Sequence, residues 1–182
     1  MQHIIVYTAV KVDIDPEEWQ VNGAGFEHSH KHGFGLLDTW RLVTLAKIWP
    51  SVPYMTSWTS NHELIHDTIP LPGRLVKTLH IIGKMAEQVV TLEHVTVTVS
   101  IKHPSRGALI INLMSPSGTI SKLATVRKYD KSTEGFHDWT FSTVRCWGER
   151  PQGSWQLIIK DTGTTFNVQL AQHFKSKRIG GP

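Results

Sequence analysis

Residues 92–101 read LEHVTVTVSI, and this stretch decides the fold class of the chain. Four β-branched apolar residues, from Val95 to Ile101, alternate with threonine or serine. Strict alternation has the period of a strand with one buried and one exposed face. We therefore expect Val95, Val97, Val99 and Ile101 to face a core.

Short strands and turns continue along the chain from this stretch. Leu109–Leu113 and Ile120–Leu123 have strand composition, and Ser115–Gly118 between them has the proline and glycine of a turn. Further strands are expected around Trp139 and Trp155, with Trp139, Phe141 and Trp155 facing inward. Closely spaced short strands with turn chemistry between them indicate a β-sandwich or β-barrel.

Two long segments carry a resemblance to a known family. Residues 92–123 (LEHVTVTVSIKHPSRGALIINLMSPSGTISKL) and 135–163 (GFHDWTFSTVRCWGERPQGSWQLIIKDTG) resemble the P domain, or Homo B domain, of the kexin- and furin-like proprotein convertases. The amino-acid sequences of residues 146–150 and 49–54 resemble those of one particular subtype of that family. Upstream, residues 28–47 (HSHKHGFGLLDTWRLVTLAK) resemble the last helix of the subtilisin-like catalytic domain in the same enzymes.

The resemblance predicts the domain organisation. Residues 1–49 are expected to be the C-terminal tail of a catalytic domain, and 50–73, rich in proline, a linker. Residues 74–170 are expected to form the P domain, and 171–182 a basic, disordered tail. The predicted fold is mainly β: a jelly-roll-like barrel or sandwich, preceded by an α-helical remnant of an α/β domain.

Two departures from an intact protein follow from these boundaries. The P domain is expected to lack its closing strand, which would leave an open sheet edge and favour aggregation or dimerisation. A helix is predicted from Leu36 to Trp49, ended by Pro50. Without the catalytic body its apolar residues would have no native partner, so 1–49 should be loosely ordered or collapsed onto the P domain.

The functional prediction also comes from the resemblance. It implies a parent serine endopeptidase that depends on calcium, cleaves precursor proteins after paired basic residues, and works in the Golgi, endosomes or outside the cell. The P domain is expected to dock on the catalytic domain and stabilise it. The alternative is a free-standing β-sandwich that binds carbohydrate or protein. A pocket or aromatic platform would favour that alternative, and a flat apolar patch would favour docking.

Composition adds few constraints. The net charge of +4 is interpreted as a solubility feature, and no basic stripe with interleaved aromatics indicates nucleic-acid binding. No signal peptide or membrane-length apolar run occurs in this sequence. Cys146 is the one cysteine, so it cannot form an intrachain disulfide, and we expect it to be a small core residue.

No catalytic residue is predicted in this chain. A subtilisin-like triad needs a serine in a Gly-Thr-Ser-Ala-like turn and a histidine before Gly-Thr. The nearest serine match, 118–121, has Ile120 in the nucleophile position, and His32-Gly33 is followed by Phe34. Arg106-Gly107-Ala108 ends in alanine, which does not support integrin-type recognition.

A zinc-protease signature is present at His62-Glu63-Leu64-Ile65-His66. H-E-x-x-H binds zinc when a helix places both histidines on one face. The segment lies between Pro53 and Pro70, too short for that helix. Glu87 is a candidate downstream third ligand, but the residues around it have no helical pattern. We interpret the match as fortuitous and predict no metal or cofactor in this chain.

Two further patterns have structural interpretations. His28, His30 and His32 alternate and would share one face of a strand, but no cysteine or carboxylate completes a metal site, so a polar loop is favoured. Asp161-Thr162-Gly163 matches the aspartic-protease triplet, but it occurs once and follows Lys160. A turn between strands is the favoured interpretation.

Overall fold

The computed structural model describes residues 1–12, 19–61, 63–69, 73–83 and 89–163, and the backbone of 170–179. The elements, in chain order, are α1 (Gln2–Thr8), β1 (Trp19–Val21), β2 (Glu27–Ser29), α2 (Thr39–Ala46), β3 (Met55–Thr59), β4 (Glu63–Ile65), β5 (Leu75–Ile81), β6 (His94–Ile101), a 3-10 turn (Arg106–Ala108), β7 (Leu109–Met114), β8 (Ile120–Ala124), β9 (Phe136–Thr143), β10 (Gly153–Asp161) and β11 (Leu170–Ile179).

Two antiparallel sheets pack over one core. The first has the strand order β5-β10-β7-β8, and the second has the order β3-β11-β6-β9, with β4 also pairing with β11. Buried residues of β6, β7 and β10 form a single hydrophobic cluster between the sheets. The predicted mainly β, jelly-roll-like sandwich is confirmed, and the described strands form open sheets rather than a closed barrel.

Strand β6 behaves as its alternation predicts. Val95, Val97, Val99 and Ile101 are each buried, while the residues between them are half-exposed. Trp155 on β10 is also fully buried, and its indole Nε1 donates a 2.8 Å hydrogen bond to the carbonyl of Pro151. The expected inward direction of these side chains is confirmed.

Trp139 is a correction to the predicted core. In the sheet register it lies opposite Val99, but 47% of its surface remains exposed, whereas Phe141 on the same strand packs against the core. β9 is the edge strand of its sheet, so no further strand covers that side. Trp139 instead packs on Phe136, with ring centroids 5.7 Å apart.

The predicted disordered tail is also wrong over most of its length. Residues 170–179 form β11, which lies between β6 on one side and β3 and β4 on the other. A basic stretch can form a strand when neighbouring strands satisfy its backbone hydrogen bonds. The sheet therefore has its closing strand, and the basis for the predicted open edge disappears.

The region predicted as a linker, 50–73, also contributes to the sandwich. It contains β3 and β4, both paired with β11. Proline residues suggested a linker, but proline is tolerated beside edge strands, and Pro53 precedes β3.

The helical part of the N-terminal segment is shorter than predicted. Helix α2 begins after Asp38, whose carboxylate accepts a 2.9 Å hydrogen bond from the Arg41 amide, and it ends at Ala46. None of its residues is buried. Among the residues that the structure describes, no helix is long and apolar enough to cross a membrane.

Candidate functional site

The seam between residues 1–49 and the sandwich holds the most specific polar contacts of the N-terminal segment. Strands β1 and β2 form a small hairpin whose turn contains Asn22 and Gly23. This turn reaches the segment after β9 and the turn between β7 and β8. A Cβ atom at Gly23 would lie 2.2 Å from the Cβ of Ser117, so only glycine permits this approach.

Asn22 is the centre of the seam. Its buried side-chain amide donates hydrogen bonds of 2.8 Å to the carbonyl of Arg145 and 2.8 Å to that of Trp147. Its side-chain oxygen accepts from the amides of Ala24, at 3.0 Å, and Phe26, at 2.9 Å. Both amide donors and the acceptor are therefore used, which fixes the hairpin turn and joins it to the sandwich.

Glu149 provides a second buried connection. Its Oε1 accepts a 2.9 Å hydrogen bond from the Gly23 amide and a short one from the Thr119 hydroxyl. Both Glu149 and Thr119 are buried. These two hydrogen bonds tie the hairpin to the turn before β8.

Aromatic packing extends the seam to α1. His3 Nε2 lies 2.6 Å from the buried carboxylate of Glu93, and its ring packs edge-on against Trp147 at 5.0 Å. Tyr7 packs against Phe26 at 5.0 Å and Trp49 at 5.2 Å. The N-terminal segment is therefore packed onto the sandwich, the second of the two predicted outcomes.

The histidines at 28, 30 and 32 make separate contacts, and His28 lies in strand β2 rather than in the expected polar loop. His28 is buried, and its Nδ1 lies 2.8 Å from the Gln20 carbonyl. His30 Nε2 accepts a 3.1 Å hydrogen bond from the Lys122 amide, and His32 stacks on Trp19. Burial is the main cause that lowers the pKa of His28, and burial with nearby Arg145 and Lys122 lowers that of His30 to about 4.

The zinc-like motif falls partly outside the described residues, because His62 and Glu87 are not among them. Glu63 begins β4, so the residues after it form a strand and not the helix that the motif requires. Glu63 and His66 are exposed. Within the described ranges no group of three potential metal-ligating side chains occurs, and the absence of a metal stays a prediction.

The remaining sequence candidates lie in structural settings. Asp161 is buried at the end of β10, 3.1 Å from Nε2 of the equally buried His103, and the two residues after it form a bend. Cys146 is buried, and that burial raises the pKa of its thiol to about 12. Neither arrangement provides an activated nucleophile or an accessible general base.

Arg106-Gly107-Ala108 likewise maintains structure. The guanidinium of Arg106 donates two hydrogen bonds to Asp130, of 2.8 and 3.0 Å, and Arg127 adds a third of 3.1 Å. The bonds from Arg106 are the main cause that lowers the pKa of Asp130 to about 2. Gly107 packs so closely that a Cβ there would lie 2.3 Å from the Arg127 carbonyl oxygen.

Sequence reasoning missed the residues that form the seam. In the sequence, Asn22-Gly23 indicates only a turn, and Glu149 is only one residue of the family-like segment 135–163. Asn22 bonds to residues 123 and 125 positions away, and Glu149 to one 126 positions away. No local periodicity encodes such partners.

Comparison with known proteins agrees with this architecture. The sequence model of the proprotein convertase P-domain matches residues 92–174. Human proprotein convertase subtilisin/kexin type 7 is 50% identical over 99% of this chain, and human type 6 is 44% identical over 88%. The chain spans only 23% and 17% of those two proteins. Residues 146–150 and 49–54 predict the seventh subtype, and type 7 has the higher identity of these two relatives.

Solved structures show the same fold at low sequence identity. A crystal structure of the Aeromonas sobria serine protease in complex with a chaperone contains a chain that superposes with a TM-score of 0.83 at 20% identity. The match covers 99% of this chain and 40% of that one. A structure of the serine protease of Aeromonas sobria gives a TM-score of 0.81 at 21% identity, covering 97% and 39%.

Proposed function

We propose that this chain, which carries the P domain of the proprotein convertase family, joins that domain rigidly to a subtilisin-like catalytic domain and stabilises it. The observation that carries the proposal is the buried seam around Asn22 and Glu149. A flexible linker would need no such contacts. Hydrogen bonds from the hairpin to the sandwich join the N-terminal segment and the P domain into a single unit. Stabilising one part is therefore expected to stabilise the other.

The partner surface is the apolar exterior of the N-terminal segment. Trp40 is 77% exposed and Leu36 60% exposed, and their neighbours Leu37 and Val43 are exposed as well. Several large apolar side chains exposed within one short segment of a folded protein indicate an interaction site. Residues 28–47 resemble the last helix of a catalytic domain, and the chain matches under a quarter of the type 7 relative. The body of the catalytic domain is therefore the occupant that fits.

The activity of the whole protein follows as part of the proposal. The parent would be a serine endopeptidase that cleaves precursor proteins after paired basic residues and requires calcium. The homologues are secretory-pathway proteins, which favours that pathway for this chain, in the Golgi, endosomes or outside the cell. The acidic substrate-binding residues of such a catalytic domain repel one another. A docked partner of net charge +4 would reduce that repulsion.

The alternative of a free-standing carbohydrate- or protein-binding module is not favoured. The β-sandwich is not isolated from the N-terminal segment but shares buried polar contacts with it. The chain alone is expected to lack peptidase activity, because its sequence has neither the serine turn nor the histidine motif of a subtilisin-like triad.

The test is reconstitution of the two parts. Human type 7 convertase truncated before the segment that aligns with Met1 is mixed with this chain, and its melting temperature and cleavage of a fluorogenic Arg-x-Lys-Arg substrate are measured. We expect the chain alone to be inactive and to raise the melting temperature of the truncated enzyme.

Variants locate the contact surface. A Trp40→Ser, Val43→Ser double variant should lose the stabilising effect while keeping its own stability, because both side chains are exposed. Tyr54→Ser, at another exposed aromatic position, is the matched control and should stabilise normally. Stabilisation by the double variant equal to that by the unaltered chain would refute docking through this surface.

A further inference from the structure

A cavity of about 330 Å³ lies where the β2 hairpin faces the ends of β8 and β9. Four of its lining residues carry basic side chains: His28, His30, Lys122 and Arg145. Phe34, Leu123 and Val144 provide apolar wall. No aspartate or glutamate is among the residues that line it, so the charge in this cavity is not balanced from within.

Two polar atoms of the lining are buried without a partner. Nη1 of Arg145 is a donor without an acceptor. Nε2 of the fully buried His28 also has no partner, and it is the acceptor nitrogen of the neutral ring because Nδ1 donates to the Gln20 carbonyl. A buried donor without an acceptor typically costs ~1–3 kcal/mol, more when it is charged. Groups left in this condition within a cavity indicate a ligand that completes their hydrogen bonds.

The electrostatics of the cavity agree with this geometry. Burial lowers the pKa of Arg145 to about 10. The pKa of His30 falls to about 4 through burial and then through repulsion by Arg145 and Lys122. Glu149, which favours the charged form of His28, does not line the cavity; its Oε1 accepts from Gly23 and Thr119, while its buried Oε2 has no partner. An anion in the cavity would relieve the repulsion among these groups.

We propose that this cavity is a binding site for a sulfate or phosphate group carried on a small organic molecule. Lys122 and Arg145 supply two permanent positive charges, which match a dianion. Arg145 Nη1 would donate to an anion oxygen. The volume is at the lower end of small-molecule pockets, so a bare ion would leave it partly empty. The apolar residues of the wall would contact the organic part.

The experiment uses the full chain and two probes, inorganic sulfate and phenyl phosphate, at pH 7.5 and constant ionic strength. Calorimetric or NMR titration should show one saturable site at which the two probes compete. We expect phenyl phosphate to bind with a dissociation constant of about 1 mM or tighter, and more tightly than sulfate. Acetate, which carries one charge, should bind at least tenfold more weakly than phenyl phosphate.

Charge-removing variants assign the site. Lys122→Gln and Arg145→Gln should each weaken phenyl phosphate binding about tenfold, the equivalent of one 1.4 kcal/mol interaction. Lys160→Gln removes an equally exposed charge from another strand and should leave the affinity within twofold. Lys122 is exposed, so Lys122→Gln should fold normally. Its affinity for phenyl phosphate therefore tests the proposal even if Arg145→Gln does not fold.

Three results would overturn the proposal: no saturable binding of either probe, equal losses in the Lys122 and Lys160 variants, or acetate binding as tightly as phenyl phosphate. The last would assign the cavity to a carboxylate. The outcome does not depend on docking to a catalytic domain, because the cavity lies within this chain.

Discussion

Replacing Asn22 by alanine tests whether the seam contributes to stability. The change removes the donors of two 2.8 Å hydrogen bonds and leaves the carbonyls of Arg145 and Trp147 without their side-chain partner. A buried acceptor left unsatisfied costs about 1–3 kcal/mol. The Trp147 contact is fully buried and the Arg145 contact only partly, so we expect the free energy of unfolding to fall by about 2–4 kcal/mol in total.

Asn22→Asp tests the same two hydrogen bonds with almost no change in side-chain shape. Aspartate has nearly the same shape and keeps an oxygen for the amides of Ala24 and Phe26. Its second carboxylate oxygen, however, would face two carbonyl oxygens in place of an NH₂ group. We therefore expect Asn22→Asp to destabilise the chain at least as much as Asn22→Ala at neutral pH, because the replacement is repulsive rather than merely absent.

The assay is urea unfolding followed by tryptophan fluorescence. A loss of about 2–4 kcal/mol should lower the midpoint by about 1–2 M if the slope is near 2 kcal/mol per M. Asn61→Ala removes the same side chain from an exposed position and should change stability by less than about 0.5 kcal/mol. If Asn22→Ala and Asn22→Asp behave like Asn61→Ala, the seam does not stabilise the fold.

Three further predictions concern the sandwich. Trp155→Ala should cost about 3–5 kcal/mol and Trp139→Ala clearly less in the same unfolding assay, because Trp155 is fully buried and Trp139 is 47% exposed; equal losses would contradict the edge position of Trp139. The pKa of His30 is lowered to about 4, so protonation of this ring favours the unfolded state. The free energy of unfolding should therefore be highest above about pH 6.5 and fall as the pH drops toward 4. His30→Gln should reduce this pH dependence, measured as urea midpoints across that range. Cys146 should react with a thiol reagent only on unfolding, because the native thiol is buried with a pKa of about 12, and rapid labelling of native protein would argue against that burial.

The sequence by itself determined the local features of the sandwich. Alternation in 95–101 places each second side chain on one face, and this period belongs to a strand whatever surrounds it. Proline and glycine at 116 and 118 likewise specify the turn after β7, since they act through backbone geometry alone. The long motifs at 92–123 and 135–163 carried the resemblance to the P domain of the proprotein convertases.

Only the tertiary structure decided the features that depend on distant neighbours. Residues 170–179 are basic and lack a strong pattern, yet they form β11 because β6, β3 and β4 supply partners for their backbone. Trp139 has the composition of a core residue, but its place on an edge strand leaves it half-exposed. Asn22 and Glu149 bond to partners more than a hundred positions away. The basic cavity likewise forms where residues 28–34 meet residues 122–145. Burial and hydrogen bonding depend on which surfaces come together in space, and periodicity along the chain carries no record of that.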